Sequence, residues 1–286
     1  MLHQPPRSLI SNLPHPAFAL PRQDVHGASP LARISGKLSR FLARNIRTRT
    51  LVKHAAQPLI TFTFDDAPAS ACSVGARILD QHGVRGTYYI SGGGCGATSP
   101  GGRLASIDQV RALWKRGHEI ACHTYSHVAV SSVSFRDLGS DLDRNRAFLK
   151  NIDGEIDVRN FAYPYGDLSL RTKRYLERRF DSCRSLIRGV NSGLADLGAL
   201  KTWPLEDASA DRAKIVELIA ETVQTRGWLI FFSHDVDEQP STFGLSPRLL
   251  TFAVAAAKAA GCTCVSVADG LKFAATVESV SQSWKN

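Results

Sequence analysis

The chain has 286 residues, of which 43% are hydrophobic and 21% charged, ample material for one large core and unlike a disordered or fibrous polymer. Its net charge is +9, yet residues 1–56 hold nine Lys and Arg against a single acid, Asp24, so everything after them stands near +1. A body that neutral is not built to hold nucleic acid, and the excess charge belongs to an N-terminal arm.

Residues 1–30 are rich in proline and polar side chains, show no periodicity and are expected to be loosely ordered. From Leu31 to Ile46, apolar residues at helical spacing alternate with Arg and Lys, which predicts a basic amphipathic helix. It would either pack on the domain with a solvated basic face or make peripheral contact with an anionic surface. No apolar run of 7–15 residues follows a basic start, and none approaches 18 residues, so the expected location is cytoplasmic, with unconventional export left open. Six scattered cysteines without a CxxC pair read as reduced, mostly buried thiols.

A strand is predicted over 59–64 (LITFTF), then a helix to Gln81, a strand over 86–91 and a glycine-rich loop without a phosphate-binding pattern. A helix over 107–116 precedes a strand over 119–124 and a helix over 134–151. Extended 160–166, helical 168–179, a strand over 181–187 and a short strand at 203–206 come next. A helix near 211–225, a strand over 228–234, a helix near 247–260 and a strand over 262–267 complete the series. Strands alternating with helices of 10–15 residues mean a parallel sheet covered by helices, and about seven such units favour a (β/α) barrel. Three segments are expected: a basic extension over 1–57, a catalytic domain over 58–275 and a tail over 276–286.

In such folds chemistry collects at the carboxyl ends of the strands. Four polar clusters lie there: Asp65-Asp66, His123 with His127, Tyr163-Pro164-Tyr165 and His234-Asp235. Two imidazoles four residues apart suit two ligands of one metal ion, and a carboxylate from another strand end completes a two-His, one-carboxylate set. Asp65 or Asp66 can supply it, leaving the other aspartate to take a proton from the attacking water.

The ordered segments Thr-Phe-Asp-Asp (63–66), His-Thr-Tyr-Ser-His (123–127), Tyr-Pro-Tyr-Gly (163–166) and Phe-Phe-Ser-His (231–234) resemble the motifs of the polysaccharide deacetylase family. This is the NodB homology domain of carbohydrate esterase family 4, and the resemblance covers roughly residues 58–270. It implies a distorted (β/α)7 TIM-like barrel that removes N-acetyl groups from an amino-sugar glycan or oligosaccharide with a divalent metal, usually Zn2+. On that pattern Asp65 is the base, Asp66, His123 and His127 bind the metal, and His234 is the acid. The Tyr165 backbone N–H stabilises the oxyanion, beside Pro164 and Tyr163. The third motif departs from the family form, because an arginine expected two residues before Pro164 is Ala162. Arg184, on the next predicted strand, is the candidate replacement. The competing readings are an O-acetyl esterase or non-sugar amidase on the same barrel, a catalytically impaired relative, and a surface-binding protein driven by the arm. The glycan, its length, the oligomeric state and the role of the arm are not legible.

Overall fold

The computed structural model describes residues 39–53, 57–99 and 102–282; the expectations for residues 1–38 lie outside them. Twelve strands and eight α-helices follow in chain order among the described residues. Helical residues 39–45 form α1, and β1 (Thr50–Lys53), β2 (Leu59–Phe64), α2 (Ala76–Gln81) and β3 (Thr87–Ile90) follow. Next come the short β4 (Thr98–Ser99) and β5 (Gly102–Arg103), α3 (Ile107–Lys115), β6 (Glu119–Cys122), α4 (Phe135–Ile152) and β7 (Asn160–Ala162). The chain continues with α5 (Leu170–Leu176), β8 (Ser182–Arg188), β9 (Gly193–Asp196), β10 (Leu200–Pro204) and α6 (Arg212–Gln224). It closes with β11 (Trp228–Ser233), α7 (Pro247–Ala259), β12 (Thr263–Cys264) and α8 (Val267–Gln282).

The seven parallel strands β2, β3, β6, β7, β8, β10 and β11 close into a barrel through the β11–β2 pairing. Every residue of β2 and of β11 is buried, as expected of parallel strands covered on both faces, and this is why LITFTF and WLIFFS are continuous apolar runs. The barrel is distorted at two seams. At the first, β2 pairs with β12 through Leu59 and Ile60, and with β3 only through Thr63 and Phe64, so β12 fills the lower part of the gap. At the second, β8 and β10 shift register between Leu200 and Thr202.

The covering helices begin where side-chain oxygens take up orphan N–H groups. Ser106 and Ser169 form capping boxes with Gln109 and Thr172, while Ser134, Asp211 and Ser246 cap α4, α6 and α7. One expectation fails here. The strand predicted over 262–267 stops after Cys264, because Ser266 accepts the Asp269 N–H and starts α8. The Val267 and Ala268 N–H groups are taken by Thr87 Oγ1 and Glu119 Oε2, which dock the helix on the amino-terminal floor of the barrel. At the other end of the chain, the fully buried Lys173 donates to the carbonyls of Ala43 and Ile46 and pairs with Asp196, tying α1 to the domain. None of the helices among the described residues is long and apolar enough to cross a membrane.

Candidate active site

The carboxyl end of the barrel holds a pocket of about 410 Å³ that is lined by Asp65, Asp66, His123, His127, Tyr163, Tyr165 and His234, among others. Four of the sequence clusters therefore meet in one place. The turns that deliver them share an unusual backbone. Asp66, Ala67, Thr124, His127 and Tyr165 all have left-handed φ values between 48° and 61°, and the only other such non-glycine residue among those described is Arg226. Holding five L-residues there costs about 1 kcal/mol or more each, and strain of that kind collects at functional sites.

Left-handed geometry at Asp66 separates the two adjacent carboxylates. Asp65 continues the β2 ladder, its N–H donating to the Ser233 carbonyl at 2.9 Å, and its carboxylate turns into the barrel to pair with Arg184. Arg184 is fully buried on β8, and Asp65 is nearly so. The Arg184 Nε and Nη1 atoms have no hydrogen-bond partner, but the guanidinium lies 5.0 Å from the Tyr89 ring centroid and 5.4 Å from that of Phe232. Ala162 and Arg184 are direct register partners across β7 and β8, so the cation sits one strand over at the same level of the barrel.

Asp66 faces the histidines instead. Its Oδ1 lies 3.0 Å from His127 Nε2 and 3.6 Å from His123 Nε2, and one ligand atom from each of the three residues falls within 4.8 Å of the others. Asp66 Oδ1 is buried yet has no hydrogen-bond partner. A buried carboxylate oxygen left without a donor, facing two imidazole nitrogens, fits a divalent cation by geometry and by ligand chemistry. Burial alone would raise the Asp66 carboxyl, but the close approach and charge of the His127 imidazole, with the charges of His123 and His234, hold it well below the usual carboxylate range. Burial pulls His123 down to about 4, so its ring is neutral and its lone pair available near pH 7.

The outer nitrogens of both rings are held. His123 Nδ1 lies 2.9 Å from the Ala162 carbonyl, and His127 Nδ1 lies 2.9 Å from Tyr165 Oη. The 124–128 turn is braced from α4, where Asp141 accepts the N–H groups of Tyr125 and Ser126. Tyr125 itself packs beneath the Arg144 guanidinium, 3.9 Å from its ring centroid, and does not line the pocket. Tyr163 is buried with its hydroxyl donating to the Gly198 carbonyl, and Pro164 is buried in the turn that follows β7. The Tyr165 ring reaches the pocket and is 38% exposed, and its backbone N–H has no acceptor among the described residues. Burial, with the Asp66 charge, raises the Tyr165 phenol above its ordinary value.

His234 follows the end of β11, the strand paired with β2, and lines the pocket beside the two aspartates, with Nδ1 buried and without a hydrogen-bond partner among the described residues and its ring 5.6 Å from that of Phe243. Asp235 turns away from the pocket and accepts the Ser241 N–H and hydroxyl, closing the loop that carries Phe243. Glu206, Leu186 and Phe243 line the pocket and were missed by the sequence reading. Glu206 lies two residues past the end of β10, a position that could have flagged it; the other two carry no local signal. Trp203 packs between Arg188 and Lys214 rather than in the pocket.

A closed parallel barrel that gathers carboxylates and imidazoles at its carboxyl end has the architecture of a TIM-like enzyme. Residues 53–179 match the polysaccharide deacetylase family model, and over that segment the chain is similar to that family. The chain is 27% identical over 227 residues to a chitin deacetylase of Colletotrichum lindemuthianum, covering 71% of this chain and 90% of that protein. It is 29% identical over 114 residues to a chitooligosaccharide deacetylase of Sinorhizobium fredii, covering 38% of this chain and 47% of the relative. A bifunctional xylanase/deacetylase of Pseudobutyrivibrio xylanivorans is 32% identical over 109 residues, but the match spans only 17% of that longer protein. Among solved structures, the Colletotrichum chitin deacetylase superposes with a TM-score of 0.55 at 23% identity, over 75% of this chain and 88% of that one. A family 4 carbohydrate esterase from Bacillus anthracis also gives 0.55, at 16% identity, over 84% and 94%. At these identities the superpositions establish the (β/α)7 fold. The matched family segment ends before Arg184 and His234, so the places of these two residues rest on geometry alone.

Proposed function

We propose that this protein hydrolyses the acetamido group of a neutral N-acetyl amino-sugar oligosaccharide or polysaccharide of the chitin type. One observation carries the reading: a carboxylate paired with a buried arginine and a separate Asp-His-His set share one pocket. Asp66, His123 and His127 would hold a divalent cation, Zn2+ by the nitrogen-rich donor set, which supplies Lewis acidity to polarise the acetyl carbonyl. Asp65 accepts the proton of the attacking water, and Arg184 fixes the direction in which its carboxylate points. The free N–H of Tyr165 donates to the oxygen that becomes negative as the carbonyl carbon turns tetrahedral. His234, on the neighbouring strand end, gives its proton to the departing nitrogen, so that the C–N bond breaks to acetate and a free amine.

The lining supports a neutral glycan. It contains no lysine or arginine among the described residues, presents the Glu206 carboxylate, and offers Tyr165, Leu186 and Phe243 as exposed apolar surface for sugar faces. The deacetylase names of the relatives agree with this substrate class. The test is acetate release from chitooligosaccharides by zinc-loaded protein, run beside O-acetylated xylan. Release from the N-acetyl substrate, lost on chelation and restored by zinc, is expected. Release from the O-acetyl ester alone would replace the amidase with an esterase.

A further inference from the structure

The Tyr165 hydroxyl lines the pocket, and the reaction just described has no use for it. It lies 2.9 Å from His127 Nδ1, with the two rings edge to face and their centroids 4.5 Å apart. The opposite nitrogen of the same imidazole, Nε2, is turned into the cluster, 3.0 Å from Asp66 Oδ1. An imidazole that presents its Nε2 lone pair to a cation keeps its proton on Nδ1. His127 is then the donor in this bond and Tyr165 Oη the acceptor. The hydroxyl hydrogen must point elsewhere, and Oη has no second protein partner among the described residues, while the residue itself faces the pocket. His123 provides the contrast: its Nδ1 is held by the Ala162 carbonyl, an acceptor with no hydrogen of its own to give.

We infer that the Tyr165 hydroxyl couples the metal ligand to the substrate: it accepts the His127 Nδ1–H, fixing the tautomer of that ligand, and donates its own hydrogen to an oxygen of the bound glycan. One side chain then orients the cation site and reads whether a sugar oxygen is in place. The inference rests on Asp66, His123 and His127 holding a divalent cation. Tyr165 acts here as a positioning residue for His127 and as a binding residue for the glycan, in addition to its backbone N–H.

Tyr165→Phe isolates the hydroxyl, because it keeps the ring, the N–H and the left-handed backbone. Zinc affinity of the metal-free protein is measured by competition with a chromophoric chelator, beside thermal unfolding of the metal-free form and kinetics on chitotetraose at saturating zinc. The expected result is an unchanged metal-free Tm, zinc binding weakened by about tenfold or more, an altered Co2+ absorption spectrum, and a raised KM. A second variant, 3-fluorotyrosine at position 165, makes the hydroxyl a weaker acceptor and a better donor, so zinc affinity falls while KM falls too. Wild-type protein that binds no zinc overturns the metal reading on which this rests. Wild type and Tyr165→Phe that bind zinc equally, with identical Co2+ spectra, overturn the coupling itself. Weaker zinc with unchanged kinetics at saturating zinc overturns the substrate half.

Discussion

Replacing Arg184 by leucine removes the one ion-pair partner, among the described residues, of a carboxylate that is 4% exposed, from a site that is itself 0% exposed. Breaking a buried pair by deleting one member leaves an uncompensated charge and costs about 3–5 kcal/mol. Against a total stability of about 5–15 kcal/mol, that is about a fifth or more of the whole. The pair is not ideal, because two of the three guanidinium nitrogens lack hydrogen bonds and rely on the faces of Tyr89 and Phe232. Removing both charges, in Asp65→Asn with Arg184→Leu, should therefore leave stability within about 1 kcal/mol of the parent. The cycle then yields a coupling of about 3 kcal/mol or more between the two positions. Urea unfolding of all four proteins measures it, with m-values compared to confirm that only stability has changed. Turnover should fall by about 10²-fold or more in Arg184→Leu with zinc content intact. Because Ala162 is the register partner of Arg184, Ala162→Arg in an Arg184→Ala background should recover part of that turnover. An Arg184→Leu protein with parental stability and turnover would refute the reasoning.

Three further outcomes follow from the same structure. Buried His118 accepts the Gly86 N–H on Nδ1, and burial first, with the charges of Arg116 and Arg85, pulls it down to about 4 against the pull of Asp80. Between the ordinary 6.5 and about 4 the unfolded chain binds a proton that the native chain does not, so stability is full above 6.5 and falls as pH drops through that window, by up to about 1.4 kcal/mol per unit. His118→Gln should flatten the fall of the urea midpoint from pH 7 to pH 4.5, and equal slopes would count against the assignment. Gly166 has φ of +62°, and a Cβ there would stand 2.7 Å from Leu186 Cδ1. Gly166→Ala should raise KM and lower Tm together; unchanged kinetics would show that the turn has slack. Glu206→Arg reverses a charge in the lining, an effect on the order of 1 kcal/mol, so relative kcat/KM for a carboxymethylated over a neutral chitooligosaccharide should rise about fivefold and shrink with salt. No change would place Glu206 outside the glycan path.

What could be read from the sequence was whatever is written in local pattern. Uninterrupted apolar runs such as LITFTF and WLIFFS announce buried parallel strands, and polar residues just past them announce the end where chemistry collects. His123 and His127 were legible by spacing, and the absence of a cation at Ala162 pointed to Arg184. Their adjacency across β7 and β8 was not legible, because register between strands 22 residues apart is settled by closure of the barrel. The unequal directions of Asp65 and Asp66 arise from left-handed backbone at Asp66 and Ala67, which nothing in Asp-Asp-Ala-Pro encodes and which the surrounding fold imposes. Phe243 and Leu186 reach the pocket through a loop closed by Asp235 and through the far end of β8, both tertiary effects. The start of α8 was lost for a different reason: Ser266 and Asp269 are a helix-start signal that the apolar alternation of Cys262–Val267 obscured.

The account stands on two neighbouring carboxylates with different duties, and Asp65→Asn and Asp66→Asn, assayed side by side for bound zinc and for acetate released from chitotetraose, test that directly. Asp65→Asn should keep about one zinc per chain and lose turnover, whereas Asp66→Asn should lose both. Equal loss of zinc in the two variants, or turnover surviving in Asp65→Asn, would contradict it.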